Sequence, residues 1–271
     1  MKLSVDGRTA YAYTGGKPFD PGLPSVVFIH GALNDHSVWT LLARWFAHHG
    51  HSVLAVDLPG HRRSEGPPLP SVEALADWTL ALMDAAGAAK AALVGHSMGS
   101  LIALEAAARA PQRAMALVMV ATAYPMQVSK SLLDTSLSDP LRAIDMVVSY
   151  SHSTLAAKPS YPGPGSWLRG GSRALMRLVE AASPGLFHHD FSVCDSYSNG
   201  LQAAAKVRCP VSLVTGSADQ MTLPKMSREL AAALRATVHT VSAGHQIMAE
   251  APDPVLAALR TALTPTRGNT P

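Results

Sequence analysis

The pentapeptide Gly95-His96-Ser97-Met98-Gly99 has the residue types and spacing of a turn that presents a nucleophile. It follows the apolar run Ala-Ala-Leu-Val and leads into a stretch of small residues with helical character, as a sharp strand-to-helix turn requires. Glycine two residues before and after Ser97 avoids collisions where the backbone doubles back. Unpaired N–H groups at the start of the helix favour negative charge there. The pattern predicts Ser97 as the nucleophile of an acyl transfer; the alternative is a tight turn with a surface serine.

Further motifs accompany this turn along the chain. They are His30-Gly31 after the third predicted strand, Asp57-Leu58-Pro59-Gly60-His61 after the fourth, Gly216-Ser217-Ala218-Asp219 after the seventh, and Gly244-His245 near the end. With these motifs in this order, the chain resembles the α/β-hydrolase superfamily, in its cap-bearing group of serine esterases and carbon–carbon bond hydrolases. The resemblance covers nearly the whole chain and is weakest across residues 124–206. It departs at Arg62, where relatives often carry a small residue.

The resemblance implies an oxyanion hole made of two backbone N–H groups. By position these belong to Met98, directly after the nucleophile, and to Ala32, after His30-Gly31. Gly31 would let the loop approach the substrate closely, and His30 is predicted to pack and hydrogen-bond under the loop rather than transfer protons. An ordinary surface loop is the alternative.

The chain order of the superfamily, serine then acid then histidine, implies His245 as general base and Asp219 as the acid that orients it. In the C-terminal part of the chain only His245 falls in a predicted loop, whereas His239 lies within a predicted strand. Asp219 follows a predicted strand at the edge of the sheet where open α/β sheets bind ligands. Its alternative role is a turn or a helix cap. Asp195 and Glu250 are the other candidates for the acid.

Short runs rich in Val, Ile and Leu alternate with Ala/Leu-rich stretches, which indicates an α/β fold with a mostly parallel central sheet flanked by helices. The predicted buried strands cover residues 25–30, 52–57, 91–96, 115–121, 210–216 and 236–242. The predicted helices cover residues 38–48, 72–86, 98–110, 223–234 and 254–263. The stretch up to Tyr13 can add an antiparallel hairpin at the edge.

Residues 124–206 break this alternation, because they contain helix-like pieces and the Pro/Gly-rich stretch 160–167 but no convincing buried strand. We therefore predict a helical cap at 124–206, inserted after the sixth strand of a core formed by residues 1–123 and 207–271. The last eight residues, 264–271, are predicted to be frayed.

Composition restricts the possible partners. The chain has 271 residues, 48% of them hydrophobic and 15% charged, so it can bury a large core by itself. Its 22 basic and 19 acidic residues are scattered, which argues against nucleic acid as a partner. The first sixteen residues contain no apolar stretch of signal-peptide length, and no segment elsewhere reaches the ~18 apolar residues of a membrane helix. We therefore predict a cytoplasmic protein without a membrane partner.

The sequence predicts neither a metal nor an organic cofactor. Cys194 and Cys209 lack the spacing of a zinc site and are predicted to be buried thiols. Adjacent histidines seldom converge on one ion. The histidine clusters at 48–51 and 188–189 are therefore predicted to lie on the surface.

The predicted activity is hydrolysis of a small or medium carboxylic ester through an acyl-enzyme, with a small molecule as the partner. Met126, Met146 and Met176 of the predicted cap favour an adaptable apolar lining. The first alternative is carbon–carbon bond hydrolysis of a β-diketone or dienoic acid, which needs a polar or cationic pocket. A perhydrolase or haloperoxidase-like activity is another. From a different class, a ligand-sensing protein could retain the triad. The candidate cations for the pocket of a carbon–carbon bond hydrolase are Arg142, Arg173 and Arg177.

Overall fold

A computed structural model describes residues 1–153 and 164–263, with side chains from Trp167 onward in the second range. Eight strands form one sheet in the order β1-β2-β4-β3-β5-β6-β7-β8. They are β1 (Lys2–Val5), β2 (Arg8–Tyr13), β3 (Ser25–Ile29), β4 (Ser52–Val56), β5 (Ala91–His96), β6 (Ala114–Val120), β7 (Val211–Gly216) and β8 (Thr237–Val241). Strand β2 pairs antiparallel with β1 and β4, and all remaining pairs are parallel. The predicted mostly parallel sheet with an N-terminal hairpin is confirmed.

Burial explains why the central strands could be recognised. Every residue of β3, β4, β5 and β7 is buried, because helices cover both faces of the sheet and the strands therefore read as unbroken apolar runs. Alternate side chains of β3 divide between the two faces. Val27 and Ile29 pack on one side and Val26 and Phe28 on the other. The edge strand β8 is more open, with Val238 51% exposed.

Six helices accompany the sheet along the chain. They are α1 (Thr40–Ala47), α2 (Val72–Ala85), α3 (Met98–Arg109), α9 (Arg228–Ala233), α10 (Ile247–Glu250) and α11 (Pro252–Leu263). Two predictions were too long at one end, since the segments before α1 and α9 form 3₁₀ turns at His36–Trp39 and Pro224–Ser227. The first turn follows Asp35, whose carboxylate accepts the N–H of Ser37 and begins the helical segment there.

Between β6 and β7, the described residues form five helices. They are α4 (Lys130–Ser138), α5 (Pro140–Ser151), α6 (Pro164–Ala182), α7 (Leu186–Ser196) and α8 (Gly200–Ala204). The described part of this insertion contains no strand. The cap boundaries at 124 and 206 stay a prediction. The Pro/Gly-rich stretch 160–167 lies outside the described residues as far as 163, and its last residues begin α6. The predicted frayed tail 264–271 also lies outside them.

Within the described ranges, no helix combines the length and the apolar character that crossing a bilayer requires.

Candidate active site

Ser97 lies in the turn between β5 and α3, with φ 52° and ψ −121°. A residue with a side chain rarely adopts a positive φ, and such strain persists only where the surroundings enforce it. Here the flanking glycines allow backbone contacts that no side chain would permit. A Cβ on Gly95 would lie 2.0 Å from the carbonyl oxygen of Gly99, and one on Gly99 would lie 2.3 Å from that of Ile29. The turn therefore presses β5, α3 and β3 together and leaves Ser97 at its apex.

Asp219 and His245 are buried side by side at the carboxyl edge of the sheet. Nδ1 of His245 lies 2.9 Å from Oδ2 of Asp219. A Cβ on Gly216 would lie 2.4 Å from the carbonyl oxygen of Gly244, so two glycines bring the loop after β7 against the loop that carries the histidine. The backbone N–H groups of Met221 and Thr222 donate to Oδ1 of Asp219, over 2.8 and 2.9 Å.

Burial alone would raise the pKa of Asp219, but the charge of His245 and the hydrogen bonds from His245 and Thr222 outweigh it and lower the pKa below its ordinary value. Asp219 is therefore a carboxylate, and it holds the proton of the imidazole on Nδ1. This leaves Nε2 of His245 as an acceptor.

Thr222 completes this arrangement, and sequence reasoning missed it. Its hydroxyl donates to Oδ2 of Asp219 over 2.6 Å and lies 3.1 Å from Nδ1 of His245. The only available signal was an Asp-x-x-Thr spacing, which also occurs in ordinary turns. The two other candidate acids lie elsewhere. Asp195 accepts the N–H of Val128, and Glu250 accepts backbone N–H groups instead of the imidazole.

The loop after β3 approaches the serine closely. A Cβ on Gly31 would lie 3.1 Å from Cβ of Ser97, and Ala32 lines the same cavity as Ser97. Met98 is the first residue of α3, whose N–H has no carbonyl partner within the helix. Both predicted donors are thus close to Ser97, one in the loop after β3 and the other at the start of α3.

His30 lies fully buried below this loop. Its Nδ1–H donates to the carbonyl oxygen of Gly31 over 2.8 Å, and its Nε2 accepts the N–H of Leu58 over 3.1 Å. Burial, reinforced by the charge of His61, lowers the pKa of His30 to about 4. The imidazole is therefore neutral and acts as a structural bridge between the loops after β3 and β4.

His96, beside the serine, also has a structural contact that the sequence did not predict. Its Nε2–H donates to the carbonyl oxygen of His245 over 3.0 Å, which ties the nucleophile turn to the histidine loop. Burial and the charge of His245 lower the pKa of His96 to about 3. Its Nδ1 is buried and has no hydrogen-bond partner among the residues that the structure describes.

The cavity at Ser97 and His245 has a volume of about 280 Å³. Among the described residues, its lining contains no Asp, Glu, Lys or Arg. Of the predicted cap methionines, Met126 and Met146 line it, whereas Met176 borders a smaller adjoining space. The other lining residues are Ala32, Gln127, Val128, Ser129, Leu132, Val147, Tyr150, Phe191, Cys194, Gln220, Met221 and Thr222.

The three arginines considered for a cationic pocket do not line this cavity. Arg173 and Arg177 pair with Asp145 at the surface of the insertion, with N···O distances of 2.8 and 3.6 Å. Arg142 is exposed on α5.

Among the described residues, one group of side chains offers three candidate metal ligands. Asp35, His36 and Asp57 each offer a ligand atom within 4.8 Å of the others. These atoms are already engaged, because Asp57 accepts both N–H and Nδ1–H of His36 and Asp35 pairs with Arg62. These side chains therefore act as the hydrogen-bonding groups of a turn.

Two predictions about exposure were partly wrong. His188 and His189 are half-buried. His189 donates to the carbonyl oxygen of Leu69 over 2.8 Å, because their helix packs against the sheet-bearing part of the chain. Cys194 and Cys209 are both free thiols, but only Cys194 is fully buried.

Comparison with known proteins identifies the family. A family model described as the alpha/beta hydrolase fold matches residues 24–160, half of the chain. The chain therefore belongs to the α/β-hydrolase family, and the predicted fold is confirmed. Its structure is similar to that of the enol-lactonase from Burkholderia xenovorans LB400, with a TM-score of 0.83 and 22% sequence identity over 97% of this chain and 100% of that chain. At this identity the likeness shows the fold.

Two curated relatives match part of the chain. The dihydrolipoyllysine-residue acetyltransferase component of the acetoin cleaving system of Cupriavidus necator is 38% identical over 119 residues, which are 43% of this chain and 30% of that protein. The 2-succinyl-6-hydroxy-2,4-cyclohexadiene-1-carboxylate synthase of Salmonella paratyphi B is 32% identical over 122 residues, which are 45% of this chain and 48% of that protein. The chain spans less than half the length of these relatives.

Proposed function

We propose that the protein is a serine hydrolase that cleaves a small or medium, uncharged carboxylic ester through an acyl-enzyme. One observation carries this proposal. Ser97 and His245 open into the same cavity, and the imidazole of His245 is held 2.9 Å from the carboxylate of Asp219. A serine, a base and a positioned acid suffice for ester hydrolysis without further chemistry.

In the proposed reaction, Nε2 of His245 takes the proton of the Ser97 hydroxyl while Oγ attacks the ester carbonyl carbon. The carbonyl π electrons move to oxygen, and the oxyanion accepts hydrogen bonds from the N–H groups of Ala32 and Met98. The intermediate collapses, the bond to the alkoxide breaks, and His245 gives its proton to the departing alcohol. Water then attacks the carbonyl carbon of the acyl-enzyme while His245 takes one of its protons. The bond to Oγ of Ser97 breaks, His245 returns the proton to Oγ, and the carboxylic acid is released. Asp219 stabilises the imidazolium that forms twice.

The lining of the cavity supports an uncharged substrate. Ten of its sixteen described lining residues come from the insertion, which we propose to be a cap that sets substrate choice. Burying a carboxylate without a cationic partner is unfavourable by several kcal/mol. Even one buried hydrogen-bonding group without a partner costs about 1–3 kcal/mol. The described lining offers no lysine or arginine. Because the name of the Salmonella relative specifies a carboxylate compound, carbon–carbon bond hydrolysis of an anionic acid is the second candidate.

A product-resolved screen tests the proposal. Esters, lactones and dienoic acids are offered to the wild-type protein and to Ser97→Ala, and products are identified by mass. We expect rapid multiple turnover of simple esters, its loss in Ser97→Ala, and a single organophosphate adduct on Ser97 by intact mass and peptide mapping. Turnover of anionic dienoic acids alone would favour the carbon–carbon hydrolase. Slow single turnover with retained product would favour the ligand sensor.

A further inference from the structure

A buried carboxylate from the insertion contacts the loop that carries the proposed oxyanion donor. Asp190, on α7, is 2% exposed. Its Oδ2 accepts the backbone N–H of Leu33 over 2.8 Å and lies 2.9 Å from Nε2 of His61. One oxygen atom thus joins α7 to the loops after β3 and β4, which are distant from it in sequence.

Leu33 follows Ala32 directly and has an unfavourable backbone conformation. Its φ is 53°, and its side chain is fully buried. A leucine in this region of backbone space costs about 1–3 kcal/mol, and it persists only when neighbouring contacts hold it. The hydrogen bond to Asp190 is such a contact, because an unpaired N–H at this buried position would cost a further ~1–3 kcal/mol.

His61 makes the carboxylate of Asp190 tolerable in the interior. Both ring nitrogens of His61 face acceptors, since Nδ1 lies 3.2 Å from the carbonyl oxygen of Pro59 and Nε2 faces Asp190. The ring must therefore carry both protons. Burial would lower the pKa of His61, but the charge and hydrogen bond of Asp190 outweigh it and raise the pKa. The two side chains form a buried ion pair.

The segment that carries Ala32 is held from both ends. On one side His30 donates to the carbonyl oxygen of Gly31, and on the other Asp190 accepts the N–H of Leu33. We propose that Asp190 is a positioning residue, which holds Leu33 so that the N–H of Ala32 is aimed at the oxyanion. This inference rests on the proposed function, because it presupposes that Ala32 supplies a donor.

Catalysis is sensitive to the placement of such a donor. Loss of one oxyanion donor lowers kcat by about 10²- to 10³-fold, and a misplacement of about 1 Å can cost about 10²-fold. A residue of the insertion would therefore influence the chemical step, in addition to any role of that insertion in binding the substrate.

The experiment compares Asp190→Ala with Ser183→Ala. Ser183 donates to the carbonyl oxygen of Gly60 over 2.8 Å, so it also joins the insertion to the loop of His61 but does not contact Leu33. Active sites are titrated with an organophosphate, and kcat and KM for p-nitrophenyl butyrate are expressed per titrated site. The affinity of a propyl trifluoromethyl ketone, which forms an oxyanion with Ser97, is measured in parallel.

For Asp190→Ala we expect kcat per titrated site to fall about 10²-fold, with KM changed less than about threefold. The trifluoromethyl ketone should bind more weakly by the same factor as kcat/KM falls. Ser183→Ala should keep the wild-type kcat per site. A merely structural role would reduce the number of titratable sites while kcat per site and inhibitor affinity stayed unchanged, and that result would overturn the inference.

Two further results separate this inference from the proposed function. If Asp190→Ala does not fold, Asp190→Glu keeps the charge and shifts it by one methylene. We then expect kcat per site to fall by about tenfold or more, and wild-type values would overturn the inference. If Ser97 is labelled and Ser97→Ala is inactive while the Asp190 variants match the wild type, only the positioning role fails. If Ser97 is not labelled and Ser97→Ala retains turnover, the proposed function fails and this inference with it.

Discussion

The hydroxyl of Thr222 donates a 2.6 Å hydrogen bond to Oδ2 of Asp219, the same oxygen that faces the imidazole of His245. Thr222→Val removes this bond and keeps the shape. We expect kcat to fall by about 3- to 10-fold, the equivalent of a net hydrogen bond of about 0.5–1.5 kcal/mol. The control is Thr79→Val, because Thr79 is also buried but donates to Leu75 within α2. Equal kcat values in both variants would contradict the prediction.

Asp219→Asn tests the assignment of the acid. The amide can place its NH₂ group toward Nδ1 of His245 and so enforce the wrong tautomer, for which we expect kcat to fall on the order of 10⁴-fold. Far-UV circular dichroism and urea unfolding should show a folded protein. Asp195→Asn is the matched control, because Asp195 accepts the N–H of Val128 instead. A loss of activity in the control but not in Asp219→Asn would move the acid to Asp195.

Substitution at the nucleophile should reveal the strain at the turn. Ser97→Ala retains a side chain at φ 52°, whereas Ser97→Gly does not. We expect the free energy of unfolding of Ser97→Gly to exceed that of Ser97→Ala by about 1 kcal/mol, because relieved strain outweighs the greater entropy of unfolded glycine. Urea denaturation of both inactive variants measures the difference. A more stable alanine variant would mean that the turn is not strained.

Acid should destabilise the protein through His30 and His96. Their pKa values of about 4 and about 3 lie below the ordinary histidine value of 6.5. The unfolded chain therefore binds more protons below pH ~6.5, and stability that is present above this pH is lost as pH falls toward the folded values. His61 acts in the opposite direction, because its pKa is raised in the folded protein and the folded state therefore keeps a proton that the unfolded chain releases as pH rises through ~6.5.

Each of these two histidines contributes up to about 1.4 kcal/mol per pH unit in that window. We expect the free energy of unfolding to fall by at least about 2 kcal/mol between pH 7 and pH 5, as measured by urea denaturation. His96→Asn should show a shallower slope. Equal stability of the wild-type protein at both pH values would contradict the prediction.

Leu132 lines the cavity from α4, and its truncation should change substrate preference. Leu132→Ala should raise the ratio of kcat/KM for p-nitrophenyl octanoate to that for the butyrate by about tenfold, since a few methylenes of added space are worth at least ~1 kcal/mol. Leu137→Ala is the control, because Leu137 lies on the same helix but is 66% exposed and absent from the cavity. The same ratio in both variants would show that α4 does not limit acyl length.

Features of the chain that depend on neighbouring residues could be predicted from the sequence. The buried strands read as apolar runs, and the spacing of Gly95 and Gly99 around Ser97 reflects contacts within one turn. The pair Asp219 and His245 was predicted in another way, from the superfamily's chain order of serine, acid and histidine. In the structure these two side chains lie within hydrogen-bond distance of each other. The ends of α1 and α9 were less accurate, because 3₁₀ turns use the same residue types as helices.

Contacts between distant segments could not be predicted. In the sequence, Asp190 is indistinguishable from any polar residue of an amphipathic helix. Its carboxylate accepts the N–H of Leu33 only because folding brings two distant segments together. Thr222 likewise carries no signal, because its hydroxyl could satisfy any nearby turn. His188 and His189 were expected at the surface, and their partial burial depends on how α7 packs.

The insertion leaves the sheet after β6 and returns at β7, and these two strands are paired neighbours, with Leu117 beside Val211. Because the two strands are parallel, β6 ends at the carboxyl edge of the sheet and β7 begins at the opposite edge, so a segment transplanted there in a chimera must be long enough to cross between these edges. Two contacts limit which transplanted segments would fit. A transplanted segment must supply a carboxylate for Leu33, as Asp190 does, and a hydroxyl for buried Glu105, as Tyr197 does over 2.8 Å.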